Sequence, residues 1–198
     1  MTDAERALQI ARKNGVLRPR DLAEEGIART QLQRLVAKGS LLRIGRGLYV
    51  ASDQEPTLHS SLAAAAHRVP QGVICLLSAL RFHKLTTQSP HQVWIAVPAR
   101  AHPPKSDGVP FQVVKMAPGP LGAGIEKHTI DGVAVPIFDP AKTVADCFRF
   151  RNRIGMDVAL EAMRDYLQRK TRDLDLLLEH AKVNRVRNSI QPYLESML

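Results

Sequence analysis

The stretch "GIARTQLQRLVAKGSLLRIGRGLYV", Gly26 to Val50, sets the tightest limit on what this chain can fold into. Leu32, Leu35 and Val36 fall within one arc at helical spacing, with Ala28 beside it, and Lys38-Gly39 closes the run as a C-cap. Two short apolar runs follow, Leu41 to Ile44 and Leu48 to Ala51, held apart by Gly45-Arg46-Gly47, which predicts a β-hairpin with a cation at its tip. Upstream, Ala4, Ala7, Leu8, Ile10 and Ala11 recur at near-helical spacing and Asn14-Gly15 stops them, which predicts a first helix from Thr2 to Asn14. Val16 to Arg18 reads as extended, and Pro19 starts a brief second helix that Gly26 ends. The order is helix, extended piece, helix, turn, helix, hairpin. That is the order of a winged helix-turn-helix, with Leu42, Ile44, Leu48 and Val50 expected to anchor the hairpin to the three-helix core.

If Leu32, Leu35 and Val36 face the core, the outward face of the third helix carries Thr30, Gln33, Arg34 and Ala37, with Gln31 and Lys38 on one flank and Arg29 on the other. A face of Thr, Gln, Arg and Lys without a carboxylate suits the major groove, where Arg can hydrogen-bond guanine bidentately and Gln can do so with adenine. Ordinary solvated helix residues would have the same composition, because Arg, Lys and Gln are good helix formers. The hairpin shifts the balance towards DNA. Arg43 and Arg46 flank a turn beside that helix, and the glycines let its backbone approach a phosphate or minor groove. Arg20 completes the candidate set of DNA contacts. The start of the third helix is open: Ala28 would leave the first amides uncapped and free to face a phosphate, or Arg29 or Thr30 is the true start.

Charge follows the same division. The chain carries a net charge of +9; residues 1 to 50 hold ten Lys/Arg against five Asp/Glu, and the remaining residues hold 18 against 14. A polyanionic partner is favoured, and positive charge is densest around the hairpin. A polar stretch with Pro56 predicts a domain boundary near residue 55, separating 1–55 from 56–198. Beyond it, "LHSSLAAAAHRV" and "GVICLLSALRFHKL" read as helices, the first half of the latter also compatible with a strand. "QVWIAVPA" and "FQVVKM" read as strands, and Asp131-Gly132 marks a hairpin. From Asp139 onward three or four helices are expected, so the second domain is predicted to be α+β, a small antiparallel sheet followed by a helical half.

On these residues the chain resembles the AbiEi family, the antitoxin and transcriptional-regulator component of type IV toxin-antitoxin systems. The winged-helix stretch carries the likeness, and "LLSALRFHKLTTQSPHQVWIAVP" and "VPIFDPAKTVADCFRFRNRIGMDVALEAM" extend it. The resemblance implies a cytoplasmic regulator whose first domain binds inverted repeats of double-stranded DNA in its own promoter and represses it, with copies pairing on the two half-sites. It also implies a second domain that counteracts a nucleotidyltransferase-like toxin without forming a tight complex with it. Arg29, Thr30, Gln31, Gln33 and Arg34 correspond to the recognition helix, and Arg43, Arg46 and Tyr49 to the wing. Ala28 departs from the family, which often has a hydroxyl residue there.

Two other readings compete with this one. The chain could be a protein-interaction module that binds a toxin or other partner directly, or an enzyme acting on nucleic acid or nucleotides. Against an enzyme, "GPLGAGIEK" lacks the Lys-Ser/Thr that a P-loop requires, and no GxSxG or HExxH occurs. Asp131 is accounted for by its turn and Asp139 by helix capping, while Asp146, Glu161 and Asp165 are expected in surface salt bridges with nearby arginines. Cys75 and Cys147 read as buried thiols, and the seven histidines show no metal-ligand spacing, so neither metal nor cofactor is expected. The Arg149 to Arg153 run reads either as a helix end whose arginines face carbonyls or as a second nucleic-acid contact. No apolar run reaches the roughly 18 residues of a membrane span, and the charged N-terminus is not a signal peptide, so the protein is expected to stay in the cytoplasm.

Overall fold

The structure, a computed structural model, describes residues 1–53, 58–102, 109–131 and 133–198. It begins with α1 (Asp3–Asn14), α2 (Pro19–Glu24) and α3 (Thr30–Ala37), followed by β1 (Leu41–Gly45) and β2 (Leu48–Ala51). Thr2 starts α1 with a reciprocal capping box, its hydroxyl accepting from Glu5 N while the Glu5 carboxylate accepts from Thr2 N. Pro19 opens α2, where its missing N–H is no loss, and the Asp21 carboxylate accepts from Arg18 N at 2.8 Å. Ala7, Ala11, Leu22, Ile27, Leu32 and Leu35 then close a core between the three helices.

The hairpin is irregular, and its irregularity decides which side chains point inward. Leu41 pairs Ala51, Leu42 pairs Val50 and Arg43 pairs Tyr49, but Gly45 pairs Leu48, so Ile44 is an extra residue on β1. A bulge of this kind resets the alternation of faces. Leu41 and Ile44 are both buried, whereas Leu42, between them, is 45% exposed. The expected anchoring therefore changes: Leu41 and Ala51 fill the three-helix core, while Ile44, Leu48 and Val50 pack with Val16 on Ala64 of the following helix. Leu42 anchors nothing in that core. Leu17 ties the extended piece to the hairpin through two backbone bonds with Tyr49, at 2.7 and 3.0 Å.

The remainder runs α4 (Leu58–Arg68), β3 (Val73–Ile74), α5 (Leu76–Phe82), β4 (Val93–Pro98), β5 (Phe111–Met116), α6 (Pro118–Gly122), β6 (Ile125–Ile130) and β7 (Val133–Phe138). It continues as α7 (Pro140–Arg149), α8 (Arg151–Ile154), α9 (Met156–Leu167), α10 (Leu174–Val183) and α11 (Arg187–Met197). The expected hairpin is present as the antiparallel β6 and β7; Asp131 takes a positive φ of 49° at its turn, and Gly132 lies outside the described residues. The small antiparallel sheet is not. The five strands order as β5-β4-β3-β7-β6, and β4/β5 and β3/β7 are parallel, so the sheet is mixed. The two-residue β3 is the central strand, with Ile74 paired to Ile95 on one side and Ile137 on the other.

Both faces of this sheet are covered, as the near-continuous apolar runs of its inner strands require. Ile74, Ile95, Val97, Val135 and Ile137 pack with Leu62 beneath α4, whose Ala63, Ala65 and Ala66 are small enough to sit close. Val73, Ala96, Val114 and Phe138 face the other way, into a core with α5, α7, α9, α10 and α11. The α+β class thus holds, with one small antiparallel sheet in the first 52 residues and a larger mixed sheet after it. Residues 54–57, where the boundary was expected, lie outside the described residues. Among the described residues no helix is long and apolar enough to cross a membrane.

Candidate nucleic-acid interface

Helix α3 starts one residue later than an Ala28 cap would have it. Arg29 occupies the cap position with helical φ and makes no side-chain cap bond, while Ala28 is exposed and not beside the buried arc. Leu32 and Leu35 are buried and Val36 is partly so, which leaves Arg29, Thr30, Gln33, Arg34, Ala37 and Lys38 exposed and Gln31 half-buried. The amphipathic period alone produces this face. No acidic residue lies between Glu25 and Asp53, so nothing on the helix or hairpin neutralises it. Among the described residues Arg29, Arg34, Lys38 and Arg46 form no ion pair.

The remaining predicted residues lie to one side of α3. Arg46 is exposed at the turn, and Gly47, at φ 71°, supplies the left-handed residue that a three-residue loop with a bulge needs. Arg43 is exposed and donates from Nε to Gly45 O at 3.2 Å, which ties its guanidinium to the turn. Arg20 is exposed, with Nε 3.7 Å from Asp21; that carboxylate is held mainly by Arg18 Nε at 3.2 Å. Arg20, Arg29, Arg43, Arg46 and the half-buried Tyr49 converge on one concavity of about 910 Å³. Thr30, Gln31, Gln33, Arg34 and Lys38 are not part of its lining.

Four residues of that concavity were not singled out from the sequence. Arg18 is one, and its place in the charged Arg18-Pro19-Arg20 triplet at the start of α2 is a signal that could have found it. His67 at the end of α4, and Val133 and Ala134 of β7, form the opposite wall. They are brought there by packing across the two halves of the chain, which no local pattern announces.

Several other charged groups are structural. Arg12 grips Asp53 at 2.6 Å, and this hydrogen bond holds the Asp53 carboxyl below its usual range. Arg149 donates to Asn184 O, Arg151 to Phe148 O and Arg153 to Val113 O while lying over Trp94, so each of these arginines caps a carbonyl. Among the described residues none of Asp146, Glu161 and Asp165 forms the surface salt bridge with an arginine that was expected of it. Asp146 is fully buried and accepts from Lys142 Nζ at 2.5 Å and Asn184 Nδ2 at 2.7 Å, because its helix face points into the core. Glu161 accepts from Thr87 N at 2.9 Å and Thr87 Oγ1 at 3.1 Å, stapling the chain after α5 to α9. Asp139 caps α7 through Lys142 N and also meets His180 Nε2 at 3.1 Å.

The Lys142, Asp146, Asn184, Asp139 and His180 group resembles catalytic machinery in composition, but Lys142 and Asp146 have no accessible surface for a substrate to reach. Burial pushes the Asp146 carboxyl up against the opposing pull of Lys142. Burial also pushes the Cys75 and Cys147 thiols well up, so both stay protonated and unreactive. Among the described residues no group of three or more His, Cys, Asp or Glu is placed to hold a metal ion.

Comparison with known proteins places these observations. Residues 5–52 match the family described as "Transcriptional regulator, AbiEi antitoxin". That span runs from α1 through β2 and contains every residue of the exposed basic face. No curated protein matches the sequence. Over its whole length the chain is similar in fold to 82% of the RV2827C protein from Mycobacterium tuberculosis, whose crystal structure superposes with a TM-score of 0.55 at 15% identity.

Proposed function

With an AbiEi-type antitoxin regulator matched at residues 5–52 as the premise, we propose that this chain is a sequence-specific double-stranded DNA-binding repressor. In this reading α1, α2, α3 and the hairpin are a winged helix-turn-helix occupying residues 1–55, and residues 56–198 form the antitoxin domain. The observation that carries it is the exposed face of α3, where Arg29, Thr30, Gln33, Arg34 and Lys38 stand without a carboxylate, beside an unpaired Arg46 at the wing tip. Gln33 and Arg34 offer the side chains that read base edges, and Arg20, Arg43 and Arg46 offer cations to the flanking phosphates. Gln31 and Tyr49, both half-buried, position the helix and wing.

The repressor acts in the cytoplasm on inverted repeats in its own promoter, two copies occupying two half-sites. It counteracts a nucleotidyltransferase-like toxin encoded with it and performs no catalysis of its own. Selection of duplexes from a random pool by the full chain tests the DNA reading. The wild type enriches a motif with two-fold symmetry, and Arg34→Ala relaxes the preference at one base pair of each half-site. A pool that stays random after selection contradicts the reading.

A further inference from the structure

The basic residues divide between two surfaces of different shape. Thr30, Gln33, Arg34 and Lys38 lie on the open face of α3, whereas Arg29, Arg43 and Arg46 join Arg18 and Arg20 around the 910 Å³ concavity. Five arginines from three separate stretches of chain therefore face one space, and among the described residues no carboxylate lines it. Asp21 lies beside Arg18 and Arg20, and it is committed to Arg18 N at 2.8 Å and Arg18 Nε at 3.2 Å. Like charges gathered in a concavity repel, and an anion inside it would relieve that repulsion. The far wall comes from the other half of the chain. His67, Val133 and Ala134 close it, so an occupant touches both halves at once.

We propose that this concavity binds a nucleoside polyphosphate. Its volume falls within the roughly 300–1,000 Å³ of small-molecule sites. Clustered guanidinium groups match closely spaced phosphates, each able to hold phosphate oxygens bidentately. The ring of Tyr49 and the apolar Val133 and Ala134 offer cover for a base. Because Arg29, Arg43 and Arg46 also belong to the DNA-binding surface, nucleotide and duplex compete; that competition rests on the DNA reading, while nucleotide binding itself does not. A bound nucleotide thereby joins the state of the second half to DNA affinity.

DNA phosphates share the chemistry of a free polyphosphate, and a change on the far wall separates the two. Ala134 is exposed on β7, and Ala134→Glu adds a carboxylate to the concavity while Ala134→Gln adds the same bulk without charge. Binding of ATP and of a selected DNA duplex to the full chain is measured by calorimetry and fluorescence anisotropy. Wild type binds one ATP saturably, Ala134→Gln binds it with the same stoichiometry, and Ala134→Glu binds it at least tenfold more weakly than Ala134→Gln while losing less affinity for the duplex than for ATP. Absence of saturable ATP binding, or equal ATP affinity in the Gln and Glu variants, overturns the proposal. Loss of duplex binding in Ala134→Glu without saturable ATP binding to the wild type does so too, because the concavity is then part of the DNA track. Saturable ATP binding in a chain that fails to bind any duplex upholds the pocket and sinks the DNA reading instead.

Discussion

Replacing Arg46 with alanine isolates the phosphate-contacting role assigned to the wing tip. Arg46 is exposed and makes no ion pair, and Gly45 and Gly47, which set the turn, are untouched, so the fold loses nothing measurable, within about 0.5 kcal/mol. Each phosphate neutralised contributes about 0.9 to the slope of log affinity against log salt. Removing one contact per bound copy therefore flattens the slope by about 0.9 per copy. Over a fourfold rise in salt, from about 50 to about 200 mM, the wild type's advantage over Arg46→Ala shrinks about 3.5-fold per copy, since four raised to the power 0.9 is about 3.5. The loss is the same for specific and random duplexes, because a backbone contact carries no sequence information. Fluorescence anisotropy titrations at several salt concentrations read the slope directly, with thermal melts as the control on folding. Parallel lines for wild type and variant, or a loss confined to one sequence, would refute the assignment of Arg46 to the backbone.

Arg34→Ala makes the contrasting prediction: a loss of about 1–3 kcal/mol at the selected site and little on random duplex, measured by competition titration. Lys142→Met strips the cation from the fully buried Asp146 and lowers unfolding free energy by about 3–5 kcal/mol in a denaturant titration, and the double variant Lys142→Met/Asp146→Leu recovers part of it. Gly124→Ala forces a Cβ at φ 67° to within 2.6 Å of Asp139 Oδ2 and of Lys142 Cβ, and loses about 1–3 kcal/mol from the backbone conformation before the clash is counted. Burial holds the His83 imidazole below its ordinary 6.5 although its Nε2–H donates to Phe138 O at 2.7 Å. A lowered folded value means that the His83 contribution is complete above that ordinary value and is lost as pH falls through the lowered one. Thermal melts from about pH 7 down to about pH 5 thus show wild type losing stability relative to His83→Gln, and identical pH slopes would contradict this.

The first 52 residues were nearly all legible because their structure is local. A 3.6-residue period, a proline at the start of α2 and a glycine-bounded turn each determine a few neighbouring residues, and the candidate face follows by subtraction. The extra residue at Ile44 was not legible, because alternation within "LLRIG" is equally consistent with a regular strand that buries Leu42. Only pairing with Tyr49 and Leu48 reveals the slip. The sheet was misjudged for a related reason: a parallel pair is joined by a long crossover, and a central strand of two residues, Val73 and Ile74, is too short to show any period. Asp146 looked like surface because arginines sit near it in sequence, whereas the helix face that holds it is buried on α10. The wall formed by His67, Val133 and Ala134 depends on how Ala64 of α4 seats against Ile44, Leu48 and Val50, a contact between distant segments.

Hydrogen–deuterium exchange of the full chain with and without a selected DNA duplex tests most directly whether the face of α3 and the wing form the DNA-binding surface. The account predicts that added protection falls on Arg29 to Lys38 and on Arg43 to Leu48, and that Arg34→Ala and Arg46→Ala each weaken it. Protection confined to residues 58–198, or none at concentrations that saturate the wild type, would contradict it.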